Sequence, residues 1–341
     1  MLAVVGPKNV SVGLPKQRDE DLQDSSLYCL FAAALSPGGL MSAPPASQLK
    51  IWLLAARPRT LPAAAAPVVV ASAVAVSEGS FGFGPALAAL LGALLIQIGT
   101  NFANDVFDFK KGADTSERLG PVRVTQAGLL SPQAVMTGMW VVFGLAAVVG
   151  LYLFWLGGWP ILVIGILSIA SGIAYTGGPY PLGYNGLGDI FVFIFFGLVA
   201  VCGSYYVQAG NVSLAAFFVA IPVGLLATAI LVVNNLRDID TDRAAGKKTL
   251  AVRFGEKGAQ LEYLLLLSGA YLIPLVMWLG AVTSGWVILA WISLILVKPL
   301  IQTVLHEKGR SLNQALAGTA RLELLYSFLL SAGLIISRLT G

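Results

Sequence analysis

Asn101-Phe-Ala-Asn104-Asp105-Val-Phe-Asp108 and Asn234-Asn-Leu-Arg-Asp238-Ile-Asp-Thr-Asp242 each end a long apolar run. In both, an amide residue is followed four positions later by an aspartate, and Asp242 adds a further step of four. Residues four apart share one face of a helix, so each stretch offers a stripe of oxygen ligands. A carboxylate at a membrane boundary is costly unless it meets a cation, a partner or water. Oxygen-only ligand sets suit a hard divalent cation, and Mg²⁺ is typically shared between one or two carboxylates and substrate phosphates. Two facing stripes would make a cage for a metal-bound diphosphate.

The runs before these motifs belong to a larger pattern. The chain has 341 residues, 57% of them hydrophobic and only 11% charged, where soluble domains carry about a quarter. Apolar stretches long enough to cross a bilayer recur at about 60–77, 85–104, 134–155, 159–175, 188–207, 213–234, 261–281, 285–305 and 319–338. The fold expected is all-α, with about nine membrane-spanning helices.

Lysines and arginines divide sharply between the connections. Lys110, Lys111, Arg118, Arg123, Arg237, Arg243, Lys247, Lys248, Arg253, Lys257, Lys308 and Arg310 fall on one side, while 78–84, 156–158, 208–212 and 282–284 carry none. This is the positive-inside bias. It predicts a multi-pass protein of the cell's inner (plasma) membrane, with its N-terminus and both acidic motifs on the cytoplasmic side. The net charge of +4 is then a topology signal. Nucleic-acid binding is not implied, because the basic residues are interleaved with acids.

His306 is the only histidine, which excludes a histidine-based metal site or triad. Cys29 and Cys202 have no metal-ligand spacing and imply no disulfide framework. Residues 1–47 mix charges with a Pro/Ser/Gly/Ala stretch and are expected to be a disordered extension. Met41 is an expected start of translation. Residues 48–341 form the expected single membrane domain. Gln48–Leu61 reads as an interfacial amphipathic helix with Trp52 as a headgroup-level anchor. Arg57 and Arg59 either snorkel to lipid phosphate or reach a substrate diphosphate.

After each acidic motif come bases, as diphosphate binding requires. These are Lys110, Lys111, Arg118 and Arg123 in the first case, and Arg243, Lys247, Lys248 and Arg253 in the second. The connection at 175–189 is rich in Gly, Pro and Tyr without a basic residue. Polar backbone at membrane depth survives only when buried in protein or lining a cavity. Tyr175, Tyr180, Tyr184 and Asn185 are candidates to line an aromatic acceptor site, or else interface anchors. Asp189 is a candidate base for an acceptor hydroxyl, or a helix N-terminal charge. Lys298 is expected to snorkel, and Arg321 and Glu323 to begin the last span at the interface.

Four segments carry a resemblance: Ala-Arg-Pro-Arg-Thr-Leu-Pro at 56–62, 104–115 with Gly-Pro-Val-Arg at 120–123, 175–189, and 234–255. Over roughly 48–341 the chain resembles the UbiA superfamily of intramembrane aromatic prenyltransferases. The first motif is similar to that family's N-D-x-x-D signature and the second to its D-x-x-x-D. Within the superfamily the menaquinone branch, which prenylates 1,4-dihydroxy-2-naphthoate, is the most similar.

The resemblance implies helices around a central cavity, Mg²⁺ as cofactor, and polyprenyl diphosphate and dihydroxynaphthoate as substrates in a lipid bilayer. It implies metal ligation by Asn104, Asp105, Asp108, Asp114, Asn234, Asp238 and Asp242, with Asp114 displaced because Gly112 stands where many members have a third aspartate. Arg57, Lys110, Arg118, Arg123 and Lys247 would hold diphosphate oxygens. Asp105, Asp108, Asp238, Asp242 and Asp189 would serve catalysis. A different aromatic acceptor, or phytyl transfer, remains open at this level. A cation-coupled transporter is disfavoured, since it would place acids in mid-span and none is expected there.

Overall fold

A computed structural model describes residues 47–113 and 119–340. The expectations for residues 1–46, including Cys29 and Met41, and for Asp114 and Arg118, lie outside these residues. The described chain is helical throughout. Its helices are α1 (Gln48–Ala56), α2 (Leu61–Glu78), α3 (Phe83–Lys110), α4 (Pro132–Gly157) and α5 (Trp159–Ala174). The second half contributes α6 (Gly188–Ala209), α7 (Leu214–Arg237), α8 (Ile239–Ala244), α9 (Leu250–Leu279), α10 (Gly285–His306) and α11 (Leu312–Thr340). Among the described residues eight helices are long and apolar enough to cross a membrane, and α5 is a shorter apolar ninth. The protein is therefore a multi-pass membrane protein of the predicted class.

Local signals set the helix ends. Ser131, Ser213 and Thr249 each accept a backbone N–H from the first turn of the helix they precede, satisfying a donor that the helix itself leaves unpaired. Gly79 and Gly210 close α2 and α6 in left-handed conformation. Gly255 breaks α9 with φ of 73°, so its first turn and its long remainder have different axes.

The two largest apolar clusters among the described residues hold much of the bundle. In the larger, α7 packs against α2, α6, α9 and α11 through Val70, Val74, Val223, Leu226, Tyr263, Leu322 and Tyr326. In the smaller, α1, α3 and α4 meet through Ile51, Ala55, Phe102, Val106 and Met139. The cavity lies between α2–α7 and α11 and has a volume of about 680 Å³.

The half-buried Trp52 ring packs on Phe102 at a centroid distance of 5.6 Å. One expectation needs correction. The last helix begins at Leu312, seven residues before the apolar run, because Leu312–Gly318 is helical without being strongly hydrophobic. Glu323 therefore falls in mid-span and is fully buried (0% exposed) in the α11 core. Glu262 likewise falls within α9. Mid-span acids are thus present after all.

Candidate active site

The ends of α3 and α7 open on the same end of the cavity. Asn104, Asp108, Asn234, Asp238 and Asp242 all line it, with Arg57, Arg59, Arg123 and Lys247. The i,i+4 spacing does what helical geometry requires: Asn104 and Asp108 share one face, as do Asn234 and the start of the α7–α8 corner.

Every carboxylate in this ring has a cation of the same chain beside it. Arg123 donates to Asp108 Oδ2 at 2.6 Å. Arg237 holds both oxygens of Asp238 (Nε to Oδ1, 2.8 Å) and donates to Asn234 Oδ1 and Asn313 Oδ1, each at 2.8 Å. Lys247 pairs with Asp242 at 2.9 Å. Burial raises the Asp242 carboxyl above the ordinary aspartate range, and Lys247 opposes that shift.

Among the described residues no three carboxylates converge into a ready-made metal cluster. The donor set is nonetheless all oxygen, from two amides and three carboxylates around one cavity end. That fits a small hard cation that draws its remaining ligands from phosphate and water.

Asp105 has a different role from the one expected. Its side chain is 1% exposed and absent from the cavity wall. Its two oxygens accept the backbone N–H groups of Val124 and Thr125, at 3.1 and 3.0 Å. One residue past Asn104 is a rotation of about 100° around the helix, so Asp105 faces the loop and fixes its path. That path in turn delivers Arg123 to Asp108.

The acceptor candidates divide. Tyr175 and Tyr184 line the cavity. Gly183 and Gly188 make room for Tyr175: a Cβ at either would stand 2.9 Å from its ring or hydroxyl. Burial first, then the nearby carboxylates of Asp189, Asp242 and Asp108, keeps the Tyr175 hydroxyl protonated. Tyr184 donates to Asp108 Oδ1 at 2.7 Å. Tyr180 is 62% exposed, and Asn185 folds back to donate to the Pro181 carbonyl at 2.8 Å. Neither lines the cavity, nor does exposed Lys110. Asp189 is buried in the first turn of α6, off the cavity wall, with Oδ1 lacking a hydrogen-bond partner.

Lys111, named from sequence only as one of the bases, and several residues not singled out there also shape the site. Lys111 donates to the carbonyls of Thr176 (2.7 Å) and Gly178 (3.3 Å), where burial lowers its ammonium below the ordinary lysine range and Asp108 opposes that shift. Thr176 donates to Asn104 Oδ1 at 2.9 Å. Thr60 Oγ1 accepts from Gln97 and Asn101, tying the Arg57–Arg59 corner to α3. Arg237 could have been found from its place three residues after Asn234 and directly before Asp238. Beyond the polar end, the cavity turns apolar, walled by Phe191 stacked on Phe195 (5.9 Å), Leu153, Ile161 and Val207.

Comparison with known proteins agrees with this architecture. Residues 64–325 match the model of the UbiA prenyltransferase family. A 1,4-dihydroxy-2-naphthoate octaprenyltransferase of Haemophilus influenzae is 37% identical over 298 residues, covering 85% of this chain and 97% of that protein. The enzyme of the same description from Escherichia coli is 41% identical over 261 residues, 75% of this chain and 83% of its own. A UbiA homologue from Archaeoglobus fulgidus, solved bound to DMAPP and Mg²⁺, superimposes with a TM-score of 0.55 at 16% identity, covering 82% of this chain and 99% of that one. With the family model spanning most of its length, this chain belongs to the UbiA prenyltransferase family.

Proposed function

We propose that the protein transfers a polyprenyl group from its diphosphate to 1,4-dihydroxy-2-naphthoate, releasing CO₂ and pyrophosphate and giving demethylmenaquinol for menaquinone biosynthesis. The observation that carries this reading is the shape of one cavity. Its polar end is ringed by Asn104, Asp108, Asn234, Asp238 and Asp242, and its other end is apolar. Supporting the acceptor are the two bacterial relatives, both described by that activity.

In this reading Arg57, Arg59, Arg123 and Lys247 bind diphosphate oxygens, with Arg118 a further candidate, and the acidic ring orients the metal-bearing headgroup. Bound Mg²⁺ would neutralise the diphosphate and stabilise departing pyrophosphate. The isoprenoid lies along Phe191, Phe195 and the aliphatic wall, which exclude water from an allylic cation and face it with aromatic π-density. Tyr175 and Tyr184 flank the acceptor. Its carboxylated carbon attacks the allylic carbon, the bond to oxygen breaks, and the carboxylate leaves as CO₂ with its electron pair restoring the ring. Asp189, buried off the cavity wall, makes no contact with the acceptor in this reading. Residues 48–341 form the prenyltransferase domain, with the polar end of the cavity at the cytoplasmic face of the inner membrane, as the basic connections direct.

The test uses purified protein, Mg²⁺, farnesyl or geranylgeranyl diphosphate and carboxyl-labelled acceptor. Metal-dependent release of labelled CO₂ alongside prenylated product is expected. Pyrophosphate release with 4-hydroxybenzoate, and none with the naphthoate, would contradict the acceptor.

A further inference from the structure

Tyr184 makes contacts in two directions. Its hydroxyl donates to Asp108 Oδ1 at 2.7 Å. Its ring lies under two ammonium groups, Lys111 and Lys247, each with Nζ 4.9 Å from the ring centroid, within the range of cation–π attraction. Both lysines are committed elsewhere as well. Lys111 donates to the carbonyls of Thr176 and Gly178 in the α5–α6 loop. Lys247 pairs with Asp242. The backbone of Tyr184 is also held, since its carbonyl accepts from the Lys248 N–H at 2.7 Å. Arg253 donates to the carbonyls of Asn185 (2.8 Å) and Lys248 (2.9 Å).

Two of the contacts that fasten the loop carrying Tyr175 and Tyr184 therefore lead to Asp108 and Asp242: the Tyr184 hydroxyl ends on Asp108, and Lys247 bridges the Tyr184 ring to Asp242. Under the proposed function, those carboxylates are the groups that a metal-bound diphosphate engages. Asp108 accepts from Tyr184 on one oxygen and from Arg123 on the other, so an arriving cation must displace or share one of them. Lys247 meets the same choice between Asp242 and a phosphate oxygen, while its ammonium stays against the Tyr184 ring.

We propose that Tyr184 is a positioning residue that couples the two substrate sites. Before the donor binds, Asp108 holds its hydroxyl. When metal-bound diphosphate occupies Asp108 and Asp242, the hydroxyl is released toward the cavity and becomes a hydrogen-bonding partner for the acceptor, while the lysines keep the ring in place. The aromatic acceptor then binds tightly only after the donor, and by linkage the acceptor tightens the donor to the same extent.

This inference rests on the proposed function, and the experiment separates the two. Calorimetry on the full chain in detergent first measures binding of Mg²⁺ with farnesyl thiolodiphosphate, a slowly reacting donor. Dihydroxynaphthoate is then titrated with and without that ligand. The expected result is acceptor binding about tenfold tighter in its presence, with the gain falling below about twofold in Tyr184→Phe as the linking hydroxyl is removed. Lys111→Gln is the second variant. It keeps a donor for the loop carbonyls but removes one charge over the ring, and should give an intermediate gain. Donor binding without any effect on the acceptor would overturn the coupling and leave the proposed function standing. An undiminished gain in both variants would remove Tyr184 as the link. Absence of donor binding would overturn both readings.

Discussion

The ends of α3 and α7 present the same Asn-to-Asp spacing to one cavity, yet they are held in different ways. At α7 the neutralising cation is the residue directly before the aspartate. Arg237 grips Asp238, reaches back to Asn234 and across to Asn313 of α11, so this end is organised by its own helix and one neighbour. At α3 the partners come from far along the chain. Arg123 and Tyr184 reach Asp108 from 15 and 76 residues away, and Asp105 is spent on fixing the first of those loops. One end is thus self-contained, and the other depends on two loops folding correctly. A motif's spacing fixes which side chains share a face; what neutralises them depends on the chain that returns to meet them.

The comparison can be broken at several points. Asp108→Ala and Asp238→Ala should each reduce turnover by about 10³-fold, the order expected when a group stabilising transition-state charge is lost. A rate within tenfold of wild type in either would remove that end from the chemistry. Arg237→Met and Arg123→Met each leave a buried carboxylate without its cation and should each cost about 3 kcal/mol or more, read as a lowered unfolding midpoint; Arg123, which lines the cavity where Arg237 does not, should in addition weaken donor binding when replaced. Equal losses of donor affinity in the two folded variants would erase the distinction between the ends. Asp105→Asn should cost about 2 kcal/mol by leaving a buried backbone N–H without its acceptor, with Mg²⁺–diphosphate affinity in the folded protein nearly unchanged. A large loss of affinity without loss of stability would return Asp105 to the ligand set. Asp240→Ala should do least, changing turnover less than about twofold, since its ion pair with Arg243 is solvent-exposed.

Much of this was legible in the sequence because it depends on length and period. A run of apolar residues long enough for the bilayer announces a span, and four-residue spacing announces a shared face. The two acidic ends, their common side and their basic followers all follow from those rules. Asp105 was also within reach, since the same helical period that unites Asn104 with Asp108 turns Asp105 aside. Glu323 was not, because hydropathy reports where a helix is greasy and not where it begins. Tyr184 was named as an acceptor-site candidate and Lys111 as one of the bases, but their partners were hidden for another reason: they come from contacts 65 or more residues apart, and no local pattern encodes such a return.

The central claim is that both acidic ends hold one diphosphate. Its most direct test is a calorimetric titration of Mg²⁺ and farnesyl thiolodiphosphate into wild type, Asp108→Asn and Asp238→Asn. Each variant should lose at least about 100-fold in affinity, the upper end of what the loss of a residue behind the ligands would cause. Wild-type affinity in either variant, with the protein folded, would contradict the claim.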